Sequence, residues 1–202
     1  MELLLVRHAQ PERVTASASA ADPALTALGH RQAADLASWL AAHSESRPDL
    51  VVSSPMRRAR ETAEDLVAAC PAPLRVDSRL AEFDLGATEY VPMEVLPADR
   101  ITVVASALTT GRWGAHRFDP QEFRSRVREA FDDIVADRSA NRVAVVCHGG
   151  VLNSFLSTLI GRPHGVFFLP KYTSVSRVVK SPNGPLMVES LNEVPHEPPG
   201  LP

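Results

Sequence analysis

Two apolar runs far apart in the chain each end in a histidine. Leu3-Leu4-Leu5-Val6 leads into Arg7-His8, and Val143-Ala144-Val145-Val146-Cys147 leads into His148-Gly149-Gly150. Read as parallel strands of an open sheet, both runs end over the same crevice. Residues about 140 positions apart can then meet over one small anion. Arg7 strengthens that reading, because a guanidinium at the end of an otherwise apolar strand is costly to bury unless it meets an anion or a carboxylate. Gly149-Gly150 strengthens it from the other side: at a helix start that lacks side chains, a phosphate can approach free backbone N–H groups. Each feature has an ordinary alternative, since a lone histidine is most often structural and a strand-to-helix turn also favours glycine. A third group lies in Ser53-Ser54-Pro55-Met56-Arg57-Arg58-Ala59-Arg60, where a strand gives way to a helix. Arg58, beside an inward-facing Ala59, is placed to reach the crevice, whereas Arg57 and Arg60 fit a solvated basic surface. Glu82, in Arg79-Leu80-Ala81-Glu82-Phe83, is on its own an ordinary surface carboxylate.

The elements that must position these residues follow from hydrophobic periodicity. Apolar runs of strand length alternate with longer segments of helical period, the pattern of βαβ units and a largely parallel sheet. The predicted strands are Glu2 to Val6, Leu50 to Ser53, Leu74 to Val76 and Arg142 to Cys147. Thr26 is a candidate cap for a helix with Ala33, Leu36, Ala37 and Leu40 on one face. Pro55 is read as opening a second helix through Ala69, with Ala59, Thr62, Ala63, Leu66 and Val67 inward. A third runs from about Asp119 to Asp137 on Phe123, Val127, Phe131 and Ile134, and a fourth starts at Gly150 and stops at Gly161. Val175 to Val179 and Leu186 to Leu191 read as edge strands joined by a turn at Ser181-Pro182-Asn183-Gly184.

Two stretches resist this pattern. Val14 to Asp22 is rich in Ala and Ser without periodicity, and Gly86 to Phe118 mixes Pro, Gly and short apolar clusters. Both follow motif-bearing segments, so both are assigned to the rim of the site, where they set substrate choice. The expected organisation is one domain over residues 1–191, with 86–118 as a variable rim or cap, and a Pro-rich disordered tail over 192–202.

A chain of 202 residues with 45% apolar content can bury one full core. Lys and Arg number 21 against 24 Asp and Glu, a net charge of −3, so no global basic field invites nucleic acid or an anionic membrane. Any anion site must be local. No apolar run reaches bilayer-spanning length and Met1-Glu2 passes straight into a strand, so no leader is expected and the expected compartment is the cytoplasm. Cys70 and Cys147 are too few for a disulfide framework or a thiolate-rich zinc site, though one bridge stays open. No H-E-x-x-H or G-x-S-x-G occurs, which disfavours a metallohydrolase or serine hydrolase. His30, His43, His116, His164 and His196 read as scattered surface or structural residues, with His116 set apart because it falls in the rim segment.

Arg7-His8-Ala9, Leu25-Thr26-Ala27-Leu28-Gly29, the Ser53 to Ala63 segment, Leu80-Ala81-Glu82 and Cys147-His148-Gly149-Gly150 together resemble the ordered motif set of the histidine phosphatase superfamily, the phosphoglycerate mutase-like proteins. The resemblance spans roughly residues 2 to 180 and includes Tyr172-Thr173-Ser174-Val175-Ser176 as the family's late strand. The family's usual glycine after Arg-His is Ala9 here, and its Gly-x-Trp-Glu-Gly after the acid is reduced to Gly86-Ala87-Thr88-Glu89.

The resemblance implies a three-layer αβα sandwich with a mostly parallel central sheet. It implies that His8 is the nucleophile and becomes a phosphohistidine, that Arg7, Arg58 and His148 bind the phosphoryl oxygens, and that Glu82 is the proton donor. Arg57 is a secondary candidate. Two guanidiniums and an imidazolium could offset the charge of a bound phosphate monoester, about −1.5 to −2. Neither metal nor cofactor is then required. His8 needs a fixed acceptor, such as a backbone carbonyl, on its other ring nitrogen. Glu82 needs a pKa raised by burial or by the phosphate. The implied activity is that of a metal-independent phosphomonoesterase of histidine acid phosphatase type, acting on a small phosphorylated metabolite. Two alternatives stay open: mutase-type phosphoryl transfer, and a phosphate-binding module without turnover. The oligomeric state is left open, a homodimer included.

Overall fold

The computed structural model describes every residue except 16–17, 97–98, 163–164, 182–183 and 197–202. Strand β1 (Glu2–Arg7) has Leu3, Leu4, Leu5 and Val6 fully buried, so both of its faces are covered, as expected of an inner strand in a layered α/β domain. Its neighbours are β6 (Arg142–Cys147) on one side and β7 (Val175–Lys180) on the other. Beyond β6 lie β2 (Leu50–Ser53) and β3 (Leu74–Val76), and beyond β7 lies β8 (Leu186–Glu193). The order is β3-β2-β6-β1-β7-β8, with the first four strands parallel and the last two antiparallel.

Alternate residues of these strands feed two separate cores. Leu4, Val6, Val51, Ala144 and Val146 pack against α1 (Ala27–Ala42) and α2 (Arg57–Ala69). Leu3, Leu5, Val143, Val145 and Cys147 pack against α3 (Arg100–Thr110), α4 (Pro120–Ala136) and α5 (Gly149–Leu159). The result is the expected αβα sandwich with a mostly parallel sheet. Phe131 of α4 stacks on Phe155 of α5 with ring centroids 3.8 Å apart. Cys70 and Cys147 are free and buried, one in each core. Among the described residues, no helix is long and apolar enough to cross a membrane.

Several expectations need adjustment. Helix α2 does not open at Pro55; Met56 is extended and caps it, and the N–H of Arg57 is satisfied by Asp22 at 2.8 Å. Segment 86–118, read as a rim or cap with no elements assigned, has secondary structure of its own. It contains α3 and a short hairpin of β4 (Arg112–Trp113) and β5 (His116–Arg117). The sequence of α3 is rich in β-branched residues and weak in intrinsic propensity, but Val104, Ala107 and Leu108 form a stripe buried against the α4 side of the core. Gly111, at φ 69°, ends it in a left-handed cap. At the other end, β8 runs to Glu193 and His196 is hydrogen-bonded to Thr173, so order continues into the segment read as a tail. The hairpin turn expected at Pro182-Asn183 lies outside the described residues, as do 197–202.

The loop after β1 is held by the start of α1. Thr26 caps the helix by accepting from the N–H of Gly29 at 2.9 Å, and its own N–H donates to the Gln10 carbonyl at 2.9 Å. The two backbones approach so closely that a Cβ at Gly29 would lie 2.1 Å from the Gln10 oxygen. Gly29→Ala should therefore force the loop away and cost about 1–3 kcal/mol of stability, read as a lowered urea midpoint with unchanged slope. An unchanged midpoint would contradict the packing described.

Candidate active site

Register explains why the two histidines meet. Arg7 of β1 pairs with Cys147 of β6, so the next residue on each chain segment, His8 and His148, follows at the same carboxyl end of the sheet. Their ring centroids are 5.0 Å apart. His8 Nδ1 lies 2.7 Å from the carbonyl of Ala9, which can only accept, so Nδ1 carries the proton. Arg58 Nε donates to His8 Nε2 at 3.3 Å, so that nitrogen presents its lone pair. Both neighbours fix the same tautomer. Burial, then the charges of Arg58 and Arg7, holds the His8 pKa well below the usual histidine value, and the ring is neutral.

Around this ring stand groups from four other places in the chain. Arg58 projects from the first turn of α2, almost wholly buried, and donates to both oxygens of Asp84 at 3.0 and 3.2 Å. Arg7 donates to the Pro170 carbonyl at 2.6 Å, and its guanidinium lies 4.0 Å over the Tyr172 ring. Arg58 covers Tyr90 in the same manner at 4.7 Å. The Oγ of Ser54 lies 2.7 Å from His148 Nε2 and accepts from the N–H of Met56 at 3.3 Å. Because Ser54 Oγ already accepts from Met56, its hydroxyl proton is assigned to His148 Nε2, which leaves Nδ1 as the N–H donor. Among the described residues Arg7 Nε, Arg58 Nη1 and His148 Nδ1 are buried without partners. Three uncommitted donors beside one ring-nitrogen lone pair form a cradle that could hold an oxyanion. Burial, then the charges of Arg58, His8 and Arg7, pushes the His148 pKa well below the usual histidine value.

Glu82 closes the cradle from the far side. Its Oε2 accepts from the N–H of Gly150 at 2.7 Å, and its Oε1 from the N–H of Phe83 at 3.0 Å. The N–H of Gly150, read from sequence as free for a phosphate, is thus occupied by this carboxylate. Glycine is needed there because a Cβ would lie 2.3 Å from Glu82 Oε1. Burial and the nearby Asp84 raise the Glu82 pKa to about 7, against the two N–H donors and Arg58. Arg126 of α4 braces this loop by donating to the carbonyls of Arg79 and Ala81 at 2.5 and 2.6 Å.

All five of the sequence-derived site residues, Arg7, His8, Arg58, Glu82 and His148, are buried and adjoin one another. Arg57 is not with them; it is exposed and pairs with Glu61, as Arg60 does with Glu64. His116 donates through Nε2 to the Phe83 carbonyl at 3.0 Å and so supports the rim. His43 stacks on Trp39, and His164 lies outside the described residues. Asp84, Tyr90, Tyr172, Ser54 and Arg126 were not singled out by sequence reasoning. Only Asp84 carried a local hint, standing two residues after Glu82 in a segment without helical period. Among the described residues, no cluster of three or more His, Cys, Asp or Glu side chains is placed to hold a metal ion.

The cradle forms the polar end of a cleft. A protein with this fold, and with paired histidines at strand ends, is recognisable by sequence as well. The chain matches the histidine phosphatase superfamily (branch 1) over residues 3–193 and belongs to it. A glucosyl-3-phosphoglycerate phosphatase of Mycolicibacterium vanbaalenii is 30% identical over 173 residues, covering 80% of this chain and 75% of that protein. A probable phosphoglycerate mutase of Proteus mirabilis is 29% identical over 170 residues, covering 81% and 76%. Among solved structures, a mycobacterial glucosyl-3-phosphoglycerate phosphatase shares the fold with a TM-score of 0.70 at 22% identity, covering 96% of this chain and 99% of that one. A phosphoserine phosphatase of Entamoeba histolytica does so at 0.69 and 19%, covering 96% and 98%.

A side-chain carbon NMR titration should place the midpoint of Glu82 near pH 7. Asp84→Asn should move it downward, because a neighbouring negative charge is removed and Arg58 is left less neutralised. A midpoint in the ordinary carboxylate range in the unaltered protein would contradict the burial described.

Proposed function

We propose that the chain is a phosphomonoesterase that hydrolyses a small phosphate ester through a phosphohistidine on His8. The observation that carries this reading is the fixed tautomer of His8, whose Nε2 lone pair stands beside three uncommitted buried donors. In the first step Nε2 attacks phosphorus in line with the ester oxygen, the N–P bond forms and the P–O bond breaks. Charge that spreads over the phosphoryl oxygens is met by Arg7, Arg58 and the Nδ1–H of His148. Glu82, protonated below about pH 7, gives its proton to the leaving alcohol. In the second step Glu82 takes a proton from water as the water oxygen attacks phosphorus, and the N–P bond breaks to release inorganic phosphate and neutral His8.

Family membership and relatives named as phosphatases support hydrolysis. Relatives named as phosphoglycerate mutases make transfer to a second hydroxyl the main rival. A mutase must hold a second anionic group and keep water out. Arg100, Arg112 and Arg117, the cations of the 86–118 segment, do not line the cleft. That favours water as the acceptor. The intact acid, held by two N–H donors, disfavours a module that only binds.

Release of p-nitrophenol from p-nitrophenyl phosphate should proceed in the presence of a chelator, and His8→Ala should lower kcat by about a thousandfold or more with folding intact. The rate kcat/KM should hold on the acidic side of neutrality, where Glu82 is protonated and His8 already neutral, and fall as pH rises through about 7. Wild-type turnover by His8→Ala would remove the proposed nucleophile. Rapid interconversion of phosphoglycerates with a bisphosphorylated primer, without phosphate release, would replace hydrolysis by transfer.

A further inference from the structure

Beyond its phosphate-binding end the cleft changes character. The side chains that line it there are Val91, Met93, Val104, Trp113, Val166 and Leu169, together with the ring of Phe83. Phe83 meets Trp113 edge-on at 5.4 Å and stacks on Phe118 at 5.2 Å, which holds these rings as a rigid wall. The polar groups along the same stretch are already engaged. Asn153 donates through Nδ2 to the carbonyls of Gly149 and Phe168, and its Oδ1 accepts from the N–H groups of Phe167 and Phe168. The carbonyls of Leu169 and Pro170 accept from Asn192 and Arg7.

Charge on this side is negative or turned away. Glu94 is held beside the cleft by Gln10 and by the hydroxyl of Tyr172, each at 2.8 Å. Arg112 and Arg117 are exposed, and Arg117 donates to the carbonyls of Gly114 and His116. Among the described residues the apolar stretch of the wall carries no cation, so a carboxylate or second phosphate on the leaving group would enter it unpaired, with Glu94 beside it. The Trp113 indole N–H is the one hydrogen-bond donor among the wall side chains.

We infer that the leaving group this site is built for is an apolar, flat or aromatic alcohol, so that the substrate carries no anionic group besides its single phosphate. The inference rests on the phosphatase reading above and narrows it to a substrate class. Desolvating an anion against this wall is unfavourable, whereas an aromatic ring gains burial and ring contacts with Phe83 and Trp113. The phosphate end acts on any ester, so discrimination falls to the wall.

The test compares kcat/KM for 1-naphthyl phosphate, phosphoserine and 3-phosphoglycerate at one mildly acidic pH. We expect the naphthyl ester to be favoured about 10- to 100-fold over both anionic esters. Trp113→Ala, checked for folding by thermal unfolding, should reduce that preference about tenfold through a loss of kcat/KM for the naphthyl ester. Val104→Lys, checked for folding by thermal unfolding, should raise turnover of 3-phosphoglycerate relative to wild type. Equal or better use of either anionic ester by the unaltered protein overturns the inference while leaving the phosphatase reading intact. So does a naphthyl preference that Trp113→Ala does not alter. Failure of all three esters would defeat the phosphatase reading and the inference with it.

Discussion

Two guanidiniums buried at the floor of one cleft set the terms for the rest of this molecule. Taking a cation out of water costs several kcal/mol unless it is paired and hydrogen-bonded. Arg58 is paired with Asp84, but Arg7 has a single carbonyl and the face of Tyr172. The arrangement is incompletely compensated, and the shortfall is concentrated where Arg7 Nε, Arg58 Nη1 and His148 Nδ1 face inward without partners. Binding a dianion there would complete the set. The fold supplies the rigidity needed to keep these donors apart from one another's acceptors. The β1–β6 register fixes both histidines, Thr62 links the N–H of Ala9 to the start of α2, and Thr26 with Gly29 clamps the loop that follows.

The same burial separates the titration of the two proton-handling groups. A neutral imidazole is favoured by desolvation and by the arginines, while a carboxylic acid is favoured by desolvation and by Asp84. Each group is therefore in the protonation state its proposed role needs over the same mildly acidic range. That a single environment moves a base down and an acid up is the physical link between core packing and chemistry here. Gly150 shows how tightly the link is drawn, since no side chain fits between the start of α5 and Glu82.

What the sequence made legible were the features with a short-range rule. Strand β1 and strand β6 were readable as unbroken apolar runs, helices α1, α4 and α5 as stripes of period 3.6, and α2 apart from its start at Met56 rather than Pro55. Arg7, His8, Arg58 and His148 were readable because each sits at a strand end or helix start, and Glu82 only through its place in an ordered motif set. The remainder depends on contacts that only the fold creates. Helix α3 has β-branched residues whose helical state is set by burial against the α4 side of the core, not by local preference. Asp84, Tyr90, Tyr172 and Arg126 act on partners 26 to 165 residues away, or brace carbonyls that any sequence provides. The lowered pKa of His148 likewise follows from its buried neighbours, which its sequence context does not reveal.

The most direct measurement is an alkaline quench of the protein during turnover of a radiolabelled phosphate ester, followed by peptide mapping. A base-stable, acid-labile phosphoryl group on the peptide containing His8, formed as fast as turnover and absent from His8→Ala, is the predicted result. Phosphate release at the full rate with no label ever attached to that peptide would contradict the account.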